Sequence, residues 1–482
     1  MPSETLKIGY LDGAVIALFV AAVLGLGFSA RLRDVSILQY LAAGRSLSLP
    51  AFVATLVSTW YGGVLAVGSS VEWKGVGGLL LFGMPYYVFA LVYALAFAKR
   101  VREADQISIP ERLAQRWGKA AGLVGAILIF LLAVPAAHVL MLGTMVHLVT
   151  GWGTVLSLVV GTVVGTLFLY RGGLLADVRV GLLAFLLMYI GFFVVLGWCL
   201  IHMPPATMIR KLDPALLHWD GNVGWVGLTS FFILGAWTVV DPGFHQRVSS
   251  ARSPELGKRG LFYCIGFWML FDVMSVTTGL YAIALLKPTP PGLELFPLLG
   301  EKVLPPGLKA VFLCGLTGAV LSAMVGYTLV SGATFGREFL GRLNPSLDEQ
   351  AIKLRTRIGF GVACLLAVGI ALTVQNVVVD LWYAYSGAVV GALILPVTAI
   401  YVPRFKLTVS SKWAVASMIT AFITSFACLI YGKRTDNPSL EVSYAGQTFT
   451  FGTLIPGLIV SAIVLSLGEL ASRRATTYDK RN

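Results

Sequence analysis

Charged residues are scarce in this sequence, and their scarcity excludes an ordinary soluble protein. Asp, Glu, Lys and Arg make up 12% of the 482 residues, whereas soluble domains average about 25%. Hydrophobic residues make up 57% of the chain, and the mean hydropathy is +0.83. No stretch between the long apolar runs reaches the roughly 50 residues that a separate domain needs. The composition therefore predicts an all-α polytopic membrane protein.

Cysteine and recognisable catalytic motifs are equally sparse. The five cysteines lie in apolar runs and show no paired spacing, which favours neither a disulfide framework nor a zinc site. The sequence contains no P-loop, HExxH, CxxC pair or nucleophile elbow. We therefore expect that the protein is not an enzyme.

The net charge of +13 does not indicate a nucleic-acid partner, because the basic residues are scattered over many short loops. If the N-terminus lies outside, 27 of the 36 Lys and Arg residues fall in cytoplasmic stretches. Positive charge concentrates on the cytoplasmic side of membrane proteins. The pattern predicts a cell-membrane protein in contact with membrane lipid, with an outer N-terminus and a cytoplasmic C-terminus.

Thirteen apolar runs are long enough to cross a bilayer, and they make residues 1–482 a single membrane domain. They lie near 10–29, 49–71, 77–98, 120–149, 153–170, 175–201, 224–245, 260–286, 308–335, 356–374, 378–402, 412–431 and 452–470.

In the run at 49–71, Ser58 and Thr59 precede the pair Gly62-Gly63. These residues predict an interruption of the helix. Gly costs about 1 kcal/mol relative to Ala in a helix, and hydroxyl groups compete for backbone hydrogen bonds. Carbonyls freed at membrane depth must be used by neighbouring protein or by a bound ligand or ion, as in broken transporter helices. A kinked helix that packs closely through small residues is the alternative.

A second interruption is predicted at Asp241-Pro242, because Pro removes an amide donor and clashes with the preceding helical turn. We expect Asp241 to pair with a cytoplasmic Arg, either Arg247 or Arg252, and to close the inner side of a pathway. Trp237 lies one turn deeper, too deep for an interfacial belt, and is expected to form a pocket wall.

Other polar residues occur within the apolar runs. Ser322 lies on a small-residue face with Ala319 and Ala323, either as helix-packing contact or as ligand of a small hard cation. Asp272 is mid-span, and three alternatives stay open for it: a protonated side chain, a side chain hydrogen-bonded within the bundle, or a proton-coupling carboxylate. Asp177, at a cytoplasmic helix end, is expected to be solvated or paired with Arg179.

Several motifs together resemble the sodium:solute symporter family, which includes sodium–glucose, proline and pantothenate carriers. They are YLAAGRSL at 40–47, STWYGG at 58–63 with Gly68, SIPE at 108–111, RWG at 116–118, YRGG at 170–173, DPGFHQR at 241–247 and the small-residue face ending at Ser322. The resemblance implies a LeuT-type inverted repeat of two five-helix halves, 49–201 and 224–402. The helices at 10–29, 412–431 and 452–470 would be peripheral.

The resemblance also implies a sodium site and a solute gate. Backbone carbonyls at Ser58 and Tyr61, and carbonyl and hydroxyl groups at Ala319, Ser322 and Ala323, occupy the family's ion-binding positions. Trp237 falls where the family often has an aromatic gate.

Four positions depart from the family pattern. Ala323 replaces the second of two adjacent hydroxyl residues, Val180 and Gly181 replace a Thr-Asp pair, and Val325 replaces a nearby Asp. These losses are compatible with weak sodium binding, with another coupling ion, or with no coupling.

Sodium-coupled symport of a small organic solute is the leading hypothesis. The alternatives are a proton-coupled transporter using Asp272, an uncoupled transporter, and a solute sensor; a membrane enzyme ranks last. We expect the solute to contact Thr59, Tyr86, Tyr87, Trp237 and Ser386. Because we expect no charged residue at that depth, the predicted solute is neutral, zwitterionic or weakly polar rather than a polyanion. The expected oligomeric state is a monomer or a weak homodimer.

Overall fold

The structure is a computed structural model that describes residues 5–32, 36–344, 346–373, 386–402, 407–437, 440–444 and 447–479. Most of this chain is helical, as the composition predicts. The α-helices are α1 Tyr10–Phe28, α2 Ile37–Ala42, α3 Leu49–Trp60, α4 Val64–Lys74, α5 Met84–Ala96, α6 Ala98–Glu103, α7 Ile109–Ala133, α8 Ala136–Thr150, α9 Thr154–Thr166, α10 Leu169–His202, α11 Pro205–Lys211, α12 Gly224–Leu234, α13 Pro242–Ser250, α14 Pro254–Leu285, α15 Leu295–Val303, α16 Leu308–Ala333, α17 Gly341–Leu343, α18 Glu349–Thr373, α19 Gly387–Tyr401, α20 Ser411–Arg434 and α21 Leu454–Asp479.

Shorter elements join some of these helices. They are 3₁₀ turns at Ala43–Arg45, Tyr61–Gly63, Gly75–Gly77, Pro214–Leu217 and Gly235–Val239, π-helical turns at Leu79–Gly83 and Thr334–Leu340, and an antiparallel hairpin of β1 Glu441–Tyr444 and β2 Gln447–Thr450.

Ten helical segments in the described chain are long and apolar enough to cross a membrane. Gly224–Val239 and Pro242–Ser250 together form an eleventh, bent by 42°. Two shorter apolar helices, Thr154–Thr166 and Gly387–Tyr401, coincide with the predicted runs 153–170 and 378–402. Residues 378–385 of the latter run lie outside the described residues. Each predicted apolar run thus overlaps a helix of the structure. The number of helices that cross the membrane completely stays a prediction.

The interruption in the run at 49–71 is a single 3₁₀ turn between α3 and α4. The Tyr61 amide donates to the Val57 carbonyl, and the Val64 amide donates to the Tyr61 carbonyl. The backbone is therefore tightened rather than fully unwound. A methyl group added at Gly62 would overlap the Ala323 side chain on α16. Glycine permits the broken helix to touch α16 at this point.

The second interruption lies between α12 and α13, as the Asp241-Pro242 pair predicts. Residues Gly235–Val239 form a 3₁₀ turn, and α13 starts at Pro242 with Asp241 as its N-cap. The Asp241 carboxylate accepts a hydrogen bond from the Phe244 amide, with Oδ1 to N at 2.9 Å. This bond satisfies one of the amides that every helix N-terminus leaves free.

The two most buried segments form the centre of the bundle. Burial reaches 83% in the most apolar part of Leu308–Leu343 and 78% in that of Leu49–Gly77, against 22% for Tyr10–Phe28. Helix α10 packs along α16, and α3 packs between α10 and α14. Helices α20 and α21 pack against each other at the periphery. The polar groups of α3 and α16 are thereby kept away from lipid.

Two of the family-like motifs make long-range contacts at the ends of the bundle. Ser108 caps α7 by accepting from the Glu111 amide at 3.1 Å, and the Glu111 carboxylate forms an ion pair with Arg337 at 2.8 Å. The Tyr40 hydroxyl donates to the Leu169 carbonyl at 2.8 Å, just before the YRGG motif. These bonds tie the loop segments to α10 and to the end of α16.

The contact between Gly62 and Ala323 gives a direct test of the packing. We expect Gly62→Ala to destabilise the protein by about 1–3 kcal/mol, because the added methyl group overpacks a full interface. Thermal unfolding of the purified protein in detergent would show a lower melting temperature. Adding Ala323→Gly should restore part of the loss, and an unchanged melting temperature in Gly62→Ala would contradict the packing described here.

Candidate functional site

A cavity of about 540 Å³ lies beside the first helix interruption. Its volume falls within the range of about 300–1,000 Å³ that small-molecule sites occupy. All five residues predicted to contact solute line it: Thr59, Tyr86, Tyr87, Trp237 and Ser386. Their role in binding stays a prediction, but the structure brings them together around one space.

The wall of this cavity includes two carboxylates, which corrects the expectation of an uncharged pocket. Asp241 and Asp272 both line it. The Tyr61 hydroxyl donates to Asp272 Oδ1 at 2.8 Å, and the Tyr87 hydroxyl donates to Asp272 Oδ2. The sequence indicated Asp272 as polar and mid-span, but helix periodicity gave no means of placing it in this wall.

The predicted sodium-site residues also converge. The Ser58 and Ser322 hydroxyl oxygens lie 2.9 Å apart, and both side chains are fully buried. A methyl group added at Gly181 would lie 3.4 Å from each of these oxygens. Ala319 is buried on the same helix as Ser322, and Ala323 faces Gly62. The broken helix, α10 and α16 therefore meet at a pair of hydroxyl groups.

Position 181 explains how the hydroxyl pair is accommodated. The resemblance leads us to expect a carboxylate near this position, and the chain has glycine instead. The absent side chain leaves room for the two serines to approach α10. Each serine can offer oxygen lone pairs to a cation once the hydrogen bond between them is given up.

A buried ion pair lies next to this region, and it corrects two expectations. Arg247 donates from Nη2 to Asp177 Oδ2 at 2.7 Å and to the Thr59 hydroxyl at 2.9 Å. Asp177 is 1% exposed, not solvated, and it does not pair with Arg179, which donates to Ser29 instead. The sequence prediction was wrong because α10 turns Asp177 inward.

The expected ion pair of Asp241 with a cytoplasmic Arg is also not formed. Asp241 Oδ2 accepts a hydrogen bond from the Tyr327 hydroxyl at 2.7 Å, while its Oδ1 caps α13. Arg247 is engaged by Asp177, and the Arg252 backbone carbonyl accepts from Arg102. Asp241 thus belongs to the cavity wall and to the helix cap at once.

Comparison with known proteins identifies this arrangement. The model of the sodium:solute symporter family matches residues 40–420, most of the chain. The chain belongs to the sodium:solute symporter family. It is accordingly a multi-pass membrane protein and a secondary active transporter of solute.

Curated relatives of this symporter have low sequence identity to it, but the alignments cover most of each chain. A sodium/glucose cotransporter 4 of Danio rerio is 22% identical over 81% of this chain and 67% of its own length. A high-affinity choline transporter 1 of Caenorhabditis elegans is 21% identical over 76% of this chain and 67% of its own length. These similarities agree with the family match.

Solved structures show the same fold. A Na+-coupled sialic acid symporter, in a substrate-bound outward-open state, matches with a TM-score of 0.79 at 14% identity, covering 97% of this chain and 98% of that chain. Mhp1, a nucleobase-cation-symport-1 family transporter in a closed conformation, matches with a TM-score of 0.59 at 13% identity, covering 93% and 96%. The predicted LeuT-type fold is confirmed.

Several cavity residues of this symporter were missed by sequence reasoning. Trp60 lies in the wall, with its ring centroid 5.1 Å from that of Tyr86 and 5.3 Å from that of Trp268. His138 and Tyr327 stack with centroids 5.3 Å apart and also line the cavity. Trp60 stands inside the STWYGG motif, so its position next to the interruption was the available signal.

Removing one partner of the Asp177–Arg247 pair is expected to destabilise the protein strongly. Asp177→Asn should cost about 3–5 kcal/mol, because it leaves a guanidinium buried without its countercharge. The melting temperature of the purified protein should fall accordingly, whereas Arg179→Gln, a change at the partly exposed neighbour, should leave it nearly unchanged.

The double variant Asp177→Asn/Arg247→Gln provides the control. It removes both charges and should be more stable than Asp177→Asn alone, because no unpaired charge remains buried. Additive losses from the two changes would show that the pair does not interact as described.

Proposed function

We propose that this transporter couples inward movement of a small organic solute to sodium and that the ion binds between the first helix interruption and α16. The contact between the Ser58 and Ser322 hydroxyls is the observation that carries the proposal. The contact brings together two residues, Ser58 and Ser322, that the family resemblance implies at ion-binding positions, and it supports an ion site beside a cavity of suitable size. We propose no catalytic role for any of these residues.

The candidate ion ligands are the Ser322 hydroxyl and the carbonyls of Ser58, Tyr61 and Ala319. The Tyr61 carbonyl already accepts a hydrogen bond from the Val64 amide. A carbonyl oxygen has two lone pairs, so this bond does not prevent coordination of a cation. The set is still short of a full oxygen shell, because Ala323 offers no hydroxyl.

Asp177 is our candidate for the missing ligand. Its Oδ1 atom is buried and has no hydrogen-bond partner among the described residues. Asp177 also lies one helical turn before Gly181, whose position is in van der Waals reach of both serine hydroxyls. A carboxylate oxygen is a suitable ligand for a hard cation.

The sodium site gives a quantitative prediction for transport. Ser322→Ala should weaken ion binding by about 1–3 kcal/mol, because it removes a ligand from an already short set. The half-saturating sodium concentration for uptake into proteoliposomes should rise by roughly tenfold or more. Ala323→Ser, which adds a hydroxyl beside Gly62, should lower it.

Thr317→Val is the matched control for Ser322→Ala. It removes a hydroxyl from the same helix, but that hydroxyl donates only to the Leu313 carbonyl one turn earlier. Its sodium dependence should equal that of the parent protein. If the parent and both site variants take up solute equally in sodium and in potassium, the sodium proposal fails and proton-coupled or uncoupled transport replaces it.

We further propose that the N-terminus lies outside and the C-terminus in the cytoplasm, on the basis of the Lys and Arg distribution. A cysteine introduced at Trp152 should react with a membrane-impermeant maleimide in intact cells, and one introduced at Glu255 should react only after permeabilisation. Both side chains are exposed. The reverse labelling pattern would overturn the proposed orientation.

A further inference from the structure

Asp272 is the polar group in the cavity whose charge is least compensated. It lies on α14, is partly exposed towards the cavity, and accepts hydrogen bonds from Tyr61 and Tyr87. Both donors are neutral hydroxyl groups. Within the described residues, no Lys, Arg or His forms an ion pair with it.

The other carboxylate in the wall is in a different position. Asp241 has the guanidinium of Arg247 close by, since a methyl group added at Gly243 would be near both Asp241 Oδ1 and Arg247 Nη1. Asp241 also caps α13. The positive end of this helix and the nearby guanidinium, which is shared with Asp177, offset part of the Asp241 charge. Among the described residues, Asp272 has only the two hydroxyl donors.

In the part of the chain that the structure describes, no Lys or Arg lines the cavity around Asp272, and His138 is the one basic side chain in its wall. An isolated charge at membrane depth is costly and normally faces a partner. The two tyrosines use only part of the four acceptor positions of a carboxylate.

Aromatic rings make up much of the same wall. Trp60, Tyr86 and Trp237 line the cavity, and the Trp60 and Tyr86 rings are in edge contact at 5.1 Å between centroids. The faces of such rings attract organic cations, and Trp does so most strongly. An unbalanced carboxylate and an aromatic wall favour the same class of ligand.

We infer that the transported solute bears a positively charged nitrogen group and that Asp272 is its counterion in the cavity. The solute is a small organic cation or a zwitterion whose cationic end points at Asp272. This inference rests on the proposed transport of a small organic solute, and it is independent of which ion drives transport. Of the solutes predicted from the sequence it keeps the zwitterions, and it adds small organic cations.

Paired probes of similar size and shape but different charge test the inference. Choline would be compared with 3,3-dimethylbutan-1-ol, ethanolamine with 1-propanol, and guanidinium with urea. Binding to the purified protein would be followed by tryptophan fluorescence, because Trp60 and Trp237 line the cavity. We expect at least one cation to bind about tenfold or more tighter than its uncharged counterpart, as for a charge pair in a desolvated site.

Asp272→Asn should remove that preference while keeping an oxygen that can accept from one tyrosine. Glu255→Gln is the matched control, because it makes the same change at an exposed position on the same helix, and it should keep the parent preference. Both variants must elute as single species in size-exclusion chromatography. A second variant, Asp272→Glu, should retain part of the preference.

The outcomes separate this inference from sodium coupling. If no cation binds more tightly than its counterpart, or if Asp272→Asn keeps the parent preference, the inference is overturned whatever the ion dependence. Repeating the titrations in potassium instead of sodium tests the coupling ion alone. Equal cation binding in both salts would overturn sodium coupling and leave the role of Asp272 supported.

Discussion

The close approach of the broken helix to α16 is the contact on which the site depends. Gly62 allows the 3₁₀ turn to lie against Ala323, and Gly181 leaves space for Ser58 and Ser322 to meet. A methyl group at Gly62 would overlap Ala323 and push the helices apart, and any side chain longer than a methyl group at Gly181 would meet the two serines. Because a bilayer offers no water to satisfy interrupted backbone, the turn at 61–63 is stable only where neighbouring helices enclose it. The cavity lies beside this turn for the same reason.

Charge burial imposes a second constraint. Arg247 and Asp177 are almost completely buried, and the pair joins α13 to α10 while also donating to Thr59 at the end of α3. Desolvating two such charges is expensive, and each is tolerable only in the presence of the other. The pair thus fixes three helices beside the cavity. Within the described residues Asp272 has no such ion-pair partner, and it accepts hydrogen bonds from two tyrosines in the cavity wall.

Much of the architecture was predictable, and the failures have a common cause. Run length and composition predict the helices, and Gly62-Gly63 and Asp241-Pro242 predict both interruptions, because backbone chemistry acts locally. The solute-contacting residues were predicted from their expected depth near the middle of the apolar runs, and the family resemblance added a gating role for Trp237. The partner of Arg247 was not, because Asp177 lies 70 residues away and helix orientation is weakly encoded. Lipid and protein interiors are both apolar, so a membrane helix lacks the amphipathic signal that reveals the inward face of a soluble one.

The backbone and the side chain of Tyr61 make contacts in two different parts of the site. Its carbonyl belongs to the turn next to the Ser58–Ser322 contact. Its hydroxyl oxygen lies 2.8 Å from Asp272 Oδ1 on α14 and 2.8 Å from the Trp268 carbonyl oxygen, and its single hydrogen is shared between these two acceptors. One rigid aromatic residue therefore links the backbone of the interruption to the carboxylate of the cavity. Thermodynamic linkage requires that two ligands sharing such a residue influence each other equally. An occupant of the cavity that holds Tyr61 in place would tighten ion binding by the same factor by which the ion tightens the occupant.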